Sequence, residues 1–304
     1  DIKMNYITCV PSINDNFSSG HIFWEIITCF IISIMLDMKV VYNSVWKKSR
    51  IKIDYGKCSK SPPLISKEVI DGNRSWGSVS FDKFQELNKY KRKLIILTNV
   101  WSIHPDVLLV WEKENYIKTG TYTNIFKPMI EDLYFSVNNN QQLEVISIHL
   151  RRGDLYNHTY NDGYNIEYYQ NLIKTIKSQS SLPIHIYTEK TGKGTTTSLS
   201  QSGDKREYHD TDHDDVEILS EIDGVKLFRG DLSDFESHFN QMCNSKHLVL
   251  GLSSMSLIAG FISHGNIYVD DGYKKSRPNL FRNVDLIPNF QVFNSSKEIK
   301  ILDD

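Results

Sequence analysis

Alanine is all but missing from this chain of 304 residues, with Ala259 its single instance. Isoleucine, asparagine, lysine, serine and tyrosine are abundant instead, a bias of the kind AT-rich coding gives and one with no bearing on mechanism. Cysteine is scarce as well. Cys9, Cys29, Cys58 and Cys243 are widely spaced and form no Cys-x-x-Cys pair, so neither a zinc site nor a disulfide scaffold is indicated. An excess of one charge is lacking: 35 basic against 37 acidic residues leave a net charge of -2. That balance excludes a nucleic-acid binder working through bulk electrostatics, while leaving room for a local basic pocket. A long apolar run is lacking too. The most apolar stretch, Ile22 to Leu36, contains Glu25 and ends at Asp37, short of the ~20 residues a spanning helix needs. A soluble protein, cytoplasmic or otherwise, is therefore expected, and a removed N-terminal anchor or signal stays open. The Asn-x-Ser/Thr sequons at Asn16, Asn73, Asn157 and Asn294 are what chance gives in so asparagine-rich a chain.

What is present reads as α/β. The length suffices for two domains with cores of their own. Tyr6-Ile7-Thr8-Cys9-Val10 has the make-up of a strand, 11–20 that of a polar loop, 21–38 that of a buried helix, and Lys39-Val40-Val41-Tyr42 that of the next strand. Residues 43–93 read as irregular, with Trp46 and Trp76 as structural anchors, and Leu94-Ile95-Ile96-Leu97 as a further strand. The polar run Asn138-Asn139-Asn140-Gln141-Gln142 marks a hinge. Beyond it the pattern predicts a helix over 166–178, strands at 183–188, 225–228, 248–250 and 266–269, and helices over 234–243 and 257–262. The segment 191–215, low in apolar residues, reads as a solvated, disordered insertion. Its cluster Asp210, Asp212, His213, Asp214 and Asp215 matches no calcium-loop spacing.

The stretch around which the rest is organised is Val145-Ile146-Ser147-Ile148-His149-Leu150-Arg151-Arg152-Gly153-Asp154. It begins as a buried strand and ends in cationic and polar groups, and open α/β sheets bind ligands beyond the carboxyl ends of their strands. Adjacent arginines can meet a diphosphate with forked hydrogen bonds, Asp154 can orient one guanidinium, and Gly153 eases the turn between them. The same residues also suit a plain salt bridge at a strand end. A second anion-competent feature is the turn Gly251 to Ser256 entering a helix, where backbone N–H groups and the hydroxyls of Ser253, Ser254 and Ser256 can face a phosphate.

His149-Leu150-Arg151-Arg152-Gly153-Asp154 resembles the His-x-Arg-Arg-x-Asp motif of the GDP-fucose-dependent fucosyltransferases, nearest the alpha-1,2 group. The likeness continues into Glu167-Tyr168-Tyr169, then Met242-Cys243 and Leu252-Ser253-Ser254-Met255-Ser256-Leu257-Ile258-Ala259-Gly260, and covers roughly residues 143–262. The family commonly carries Asn-Ser-Thr-Phe-Ser-Trp-Trp-Gly-Ala in that last run, so Leu252 replaces the asparagine, and Leu257 and Ile258 replace the tryptophans. Gly20 alone keeps the place of the family's Gly-x-Gly-Asn-Gln loop.

The resemblance implies a GT-B fold, two Rossmann-like domains facing a cleft. Residues 1–140 would be the acceptor side, 141–276 the nucleotide-sugar-binding domain, and 277–304 a tail packing back on the first. It implies inverting transfer of fucose from GDP-fucose to a glycan hydroxyl, without an obligatory metal or other cofactor. The partners are then a nucleotide sugar and a glycan or glycoconjugate acceptor. His149 would lie beside the nucleotide, Arg151 and Arg152 would stabilise the departing phosphate, and Ser253, Ser254 and Ser256 would line the phosphate side. Asp154 would orient the arginines. The base is open among Glu167, Asp162, Glu25 and His21, with Glu167 equally suited to capping its helix. A glycosyltransferase for another nucleotide sugar and a non-catalytic nucleotide- or glycan-binding relative remain the alternatives.

Overall fold

The computed structural model describes residues 5–10, 25–26, 28–30, 32–33, 36–48, 58–60, 66–71, 93–98, 142–151, 165–189, 196–199, 205–208, 210–230, 234–276, 289–294 and 299–301. The chain divides into two compact units, Asp1–Ser136 with Arg277–Pro288 and Val137–Ser276 with Asn289–Asp304. Each is built on its own parallel sheet. Among the described residues no helix is long and apolar enough to cross a membrane.

In the first unit β1 (Tyr6–Val10), β2 (Lys39–Val40), β3 (Ser66–Asp71) and β4 (Lys93–Thr98) pair in the order β2-β1-β4-β3, every pair parallel. β1 and β4 lie inside and are apolar along most of their length, with Ile7, Cys9, Leu94, Ile95 and Leu97 buried. The described helical residues between 25 and 33, Glu25, Ile26, Thr28, Cys29, Phe30, Ile32 and Ser33, are all buried, as expected of a helix covered on every side. Trp46 is fully buried on a 3-10 turn, Ser44–Lys48, and its indole N–H donates to the Cys9 carbonyl at 2.9 Å. It is the structural anchor that its sequence context suggests. β3 falls within the stretch read as irregular. It is an edge strand, Ser-Lys-Glu-Val-Ile-Asp, in which Ile70 alone is buried and Val69 is 62% exposed, so no apolar alternation betrays it.

The second unit carries β5 (Leu143–His149), β6 (Ile184–Glu189), β9 (Val225–Gly230), β10 (Ser245–Val249), β11 (Asn266–Asp270) and β12 (Phe290–Phe293). They pair in the order β12-β11-β10-β5-β6-β9, all parallel. Read from β9, that is third, second, first, fourth, fifth, sixth along the chain, the strand order of a doubly wound α/β sheet. The chain leaves the first strand toward one edge and returns beside it toward the other, so the switch point lies between β5 and β10.

One face is covered by α1 (Ile166–Lys177), which buries Tyr169, Leu172, Ile173 and Ile176 at helical spacing against Ile146, Ile148, Ile184 and Ile186. Asn165 caps it, its Oδ1 accepting from the Tyr168 N–H at 2.9 Å. A 3-10 helix, Asp210–Glu221, packs on the same core through Val216 and Leu219, and Ile222 just beyond it extends the row. That three-residue step is the period at which 3-10 side chains eclipse. α2 (Phe235–Cys243), α3 (Ser254–Ile262) and α4 (Asp271–Ser276) complete the unit.

Two expectations need correction. The segment 191–215 is not wholly irregular: β7 (Thr196–Leu199) and β8 (Lys205–Tyr208) form an antiparallel ladder, and the 3-10 helix begins at Asp210. Threonine and tyrosine supply β propensity there despite the low apolar content. The tail is also not a single return segment. β12 pairs with β11, Phe290 is buried, and Ile299 and Ile301 join the second unit's core. Gln179, just beyond α1, ties that end down, donating to the Ile299 carbonyl at 2.7 Å and accepting from the Ile301 N–H at 3.0 Å.

Candidate functional site

The switch point between β5 and β10 brings the two sequence features together. Val249 is register partner of Ile148, so the residues that leave β10 run beside His149. Gly251 lies directly against that histidine: a Cβ there would come 2.4 Å from the His149 carbonyl oxygen and 2.5 Å from its Nδ1. Only glycine fits such an approach, and the neighbouring backbone cannot yield. His149 is buried, and among the described residues its Nδ1 has no hydrogen-bond partner. Burial, then the charges of Arg151 and His238, pull its pKa from the ordinary 6.5 to about 3. It is a neutral imidazole at physiological pH. Leu150 is fully buried and donates its N–H to the Tyr187 carbonyl at 2.9 Å. Arg151 follows, half-buried at the carboxyl edge of the sheet.

The serine turn is more differentiated than its sequence suggests. Ser253 is the N-cap of α3, its hydroxyl accepting from the Met255 N–H at 3.2 Å, and its own N–H donates to the Gly251 carbonyl at 2.7 Å. Ser256 points inward. It is fully buried and shares its hydroxyl between the carbonyls of Gly251 and Ser253, at 3.0 and 3.1 Å. It staples the turn instead of lining a phosphate. Ser254 opens the helix, and its side chain lies outside the described residues. Leu257 and Ile258, where the resembling enzymes carry tryptophans, are fully buried. Both side chains therefore belong to the core side of α3.

Glu167 is exposed in the first turn of α1, where a carboxylate suits the helix dipole. Its neighbour Tyr168 donates its hydroxyl to Asp270 Oδ2 at 2.7 Å, while Asp270 Oδ1 accepts the Gly272 N–H at 2.8 Å. Asp270, almost fully buried at the carboxyl end of β11, was not singled out in the sequence. An acidic residue closing an apolar strand was the available signal. Arg152, Gly153, Asp154, Gly20, His21 and Asp162 lie outside the described residues. Glu25 is buried in the first unit. Among the described residues no three His, Cys, Asp or Glu side chains gather as metal ligands.

Behind His149 runs a row of rings that sequence reasoning missed. His149, Tyr187 and Phe228 are register partners across β5, β6 and β9. Tyr187 stacks on Phe228 with centroids 5.1 Å apart and donates its hydroxyl to Gln241 Oε1 at 2.8 Å. Burial pushes its phenol pKa upward. His238, from α2, lies over Tyr187 at 5.2 Å. The strand pairing and the helix crossing that assemble this row are both long-range, and no local pattern encodes them.

The edge therefore combines a guanidinium, a neutral imidazole, and a capped helix N-terminus with its backbone N–H groups. That set suits an anion with several oxygens. No family model matches the chain, and no curated protein is significantly similar to it.

Proposed function

We propose that the protein is an inverting glycosyltransferase of GT-B type that transfers fucose from GDP-fucose to a glycan hydroxyl. The observation that carries this reading is the convergence of Arg151 and the Ser253-capped N-terminus of α3 on the switch point of a third-second-first-fourth-fifth-sixth sheet. Ligands of such sheets bind in that crevice. The choice of GDP-fucose rests on the motif from His149 to Asp154 and its resemblance to the fucosyltransferases.

When a nucleotide sugar reacts, the anomeric carbon becomes cationic and negative charge builds on the departing diphosphate. Donors held in place at those oxygens stabilise the transition state more than the ground state. Arg151 carries most of that role in this reading, with Arg152 beside it and Asp154 orienting both. The α3 N-terminus adds backbone donors to the same anion. Exposed Glu167 is the candidate to take the acceptor proton, and no metal is required for charge neutralisation.

A non-catalytic nucleotide-binding relative is the second reading. It is favoured by Leu252 in place of the family's asparagine and by the inward hydroxyl of Ser256, which leave fewer donors at the turn.

The test is calorimetric titration of GDP and GDP-fucose into the protein and its Arg151→Ala variant, with UDP and CDP as controls. Micromolar GDP binding is expected, weakened about 10- to 100-fold in the variant, as for loss of a charge-assisted hydrogen bond. Turnover of GDP-fucose in an acceptor screen separates the enzyme from the binder. A folded protein that ignores GDP sinks both readings.

A further inference from the structure

His238 takes no part in the reading above, yet its surroundings are built around it. It sits one turn into α2, and its ring lies over Tyr187 at 5.2 Å and at 6.1 Å from Phe228. Gly230, the last residue of β9, provides its seat: a Cβ there would come 2.3 Å from His238 Cε1 and 2.7 Å from Nδ1. The two histidines behind the crevice are thus set alike, each on a glycine where a strand ends or has just ended. Tyr187 joins them, being register partner of His149 and ring neighbour of His238.

The groups facing His238 decide which imidazole can take a proton. From its own helix Asp234 favours the charged form. From β6 comes Tyr187, neutral; His185, whose own proton is disfavoured by burial and Lys226, touches Tyr187 and Phe228. β10, which also packs on α2, carries Lys246, paired with Glu144, and His247, set against the Tyr268 hydroxyl, and α3 carries no titratable group. β9 offers Phe228 and Gly230, which carry no charge. From β5 come His149 and, two residues on, Arg151, and both the Arg151 and His238 charges oppose a proton on His149. His238 is half-buried and burial lowers its pKa, but it has a carboxylate on its side. An anion entering the crevice tips the balance at His238 before His149.

We propose that His238 is a positioning residue that makes anion binding in the switch-point crevice proton-linked: a diphosphate held by Arg151 and the α3 N-terminus draws a proton onto His238. The proposal rests on the nucleotide-sugar reading and adds its regulation by pH. The protonated ring supplies a positive charge from behind His149, with no contact to the ligand. By linkage, affinity then rises as pH falls through the range in which free His238 is neutral and bound His238 is charged.

GDP-fucose is the right probe, because its diphosphate diester neither gains nor loses a proton near neutrality. Titrations at pH 6.5 in two buffers of different ionisation enthalpy report the protons taken up. The expected result is uptake of about half a proton per site and roughly threefold tighter binding at pH 6 than at pH 7.5. Uptake should vanish in His238→Phe and His238→Gln while binding persists. On the unaltered chain, NMR titration of the histidine Cε1–H signals should show the His238 midpoint moving upward with ligand. Binding with no uptake, uptake that survives both variants, or an unmoved midpoint overturns the proposal and leaves the nucleotide reading standing. Absence of binding at every pH sinks both.

Discussion

His149 shows how much a single residue's environment can alter its chemistry. Buried, and facing the Arg151 and His238 charges, it has a pKa of about 3 in the folded state against the ordinary 6.5. Between those values the unfolded chain binds the proton more tightly, so stability rises with pH. Nothing is lost above pH 7. As pH falls from 6.5 toward 3, this residue alone costs about 1.4 kcal/mol per pH unit. Urea denaturation at pH 7.5 and pH 5.5 should show that loss in the native chain and a smaller one in His149→Gln; equal losses would contradict it. The motif containing His149 and Arg151 was readable in the sequence, because a β-branched run ending in arginines is a local pattern. His238 was not, because its importance comes from Gly230 and Tyr187, which reach it through the fold.

Among elements, α3 was legible as a helix and its entrance only in part. The pattern placed a turn over 251–256, whereas the helix begins at Ser254 with Ser253 as its cap. Cap and staple have separable roles. Ser253→Ala removes the acceptor of the Met255 N–H and should cost about 1 kcal/mol. Ser256→Ala removes a buried donor to two carbonyls and should cost a similar amount, about 1 kcal/mol. Their ligand effects should differ. GDP binding should weaken more in Ser253→Ala, which caps the N-terminus of the helix, than in Ser256→Ala, whose hydroxyl is turned to the carbonyls of Gly251 and Ser253. Thermal unfolding and calorimetry of the two variants check this, and the reverse order would count against the geometry. β3 and β12 escaped the sequence reading for one physical reason. Both are sheet-edge strands, and an edge needs little apolar content to be held by its single partner.

At the scale of the whole molecule, the second unit is discontinuous in sequence, since Asn289–Asp304 returns to it after Arg277–Pro288. The returning piece contributes β12 and the buried Phe290, Ile299 and Ile301. Ending the chain at Pro288 should therefore destabilise the second unit by about 5 kcal/mol or more, at about 1.5–3 kcal/mol per large apolar side chain removed from the core. Circular dichroism should show a lower, broader transition, with the melting point down by about 10 °C or more. A truncated chain that melts like the full one would mean these side chains contribute little.

The sequence by itself determined the α/β class, most of the inner strands, the helix from 166, and the motif that contains His149 and Arg151. All of these follow from hydrophobic periodicity, β-branched runs and capping residues within a few positions of one another. Only the tertiary structure decided the strand order that sets β5 beside β10, the approach of Gly251 to His149, and the inward turn of Ser256. It alone placed Tyr168 on Asp270 and His238 behind the site. These are contacts between residues from 5 to more than 100 positions apart, and what selects them is the burial of both sheet faces at once, a condition no short window of sequence contains.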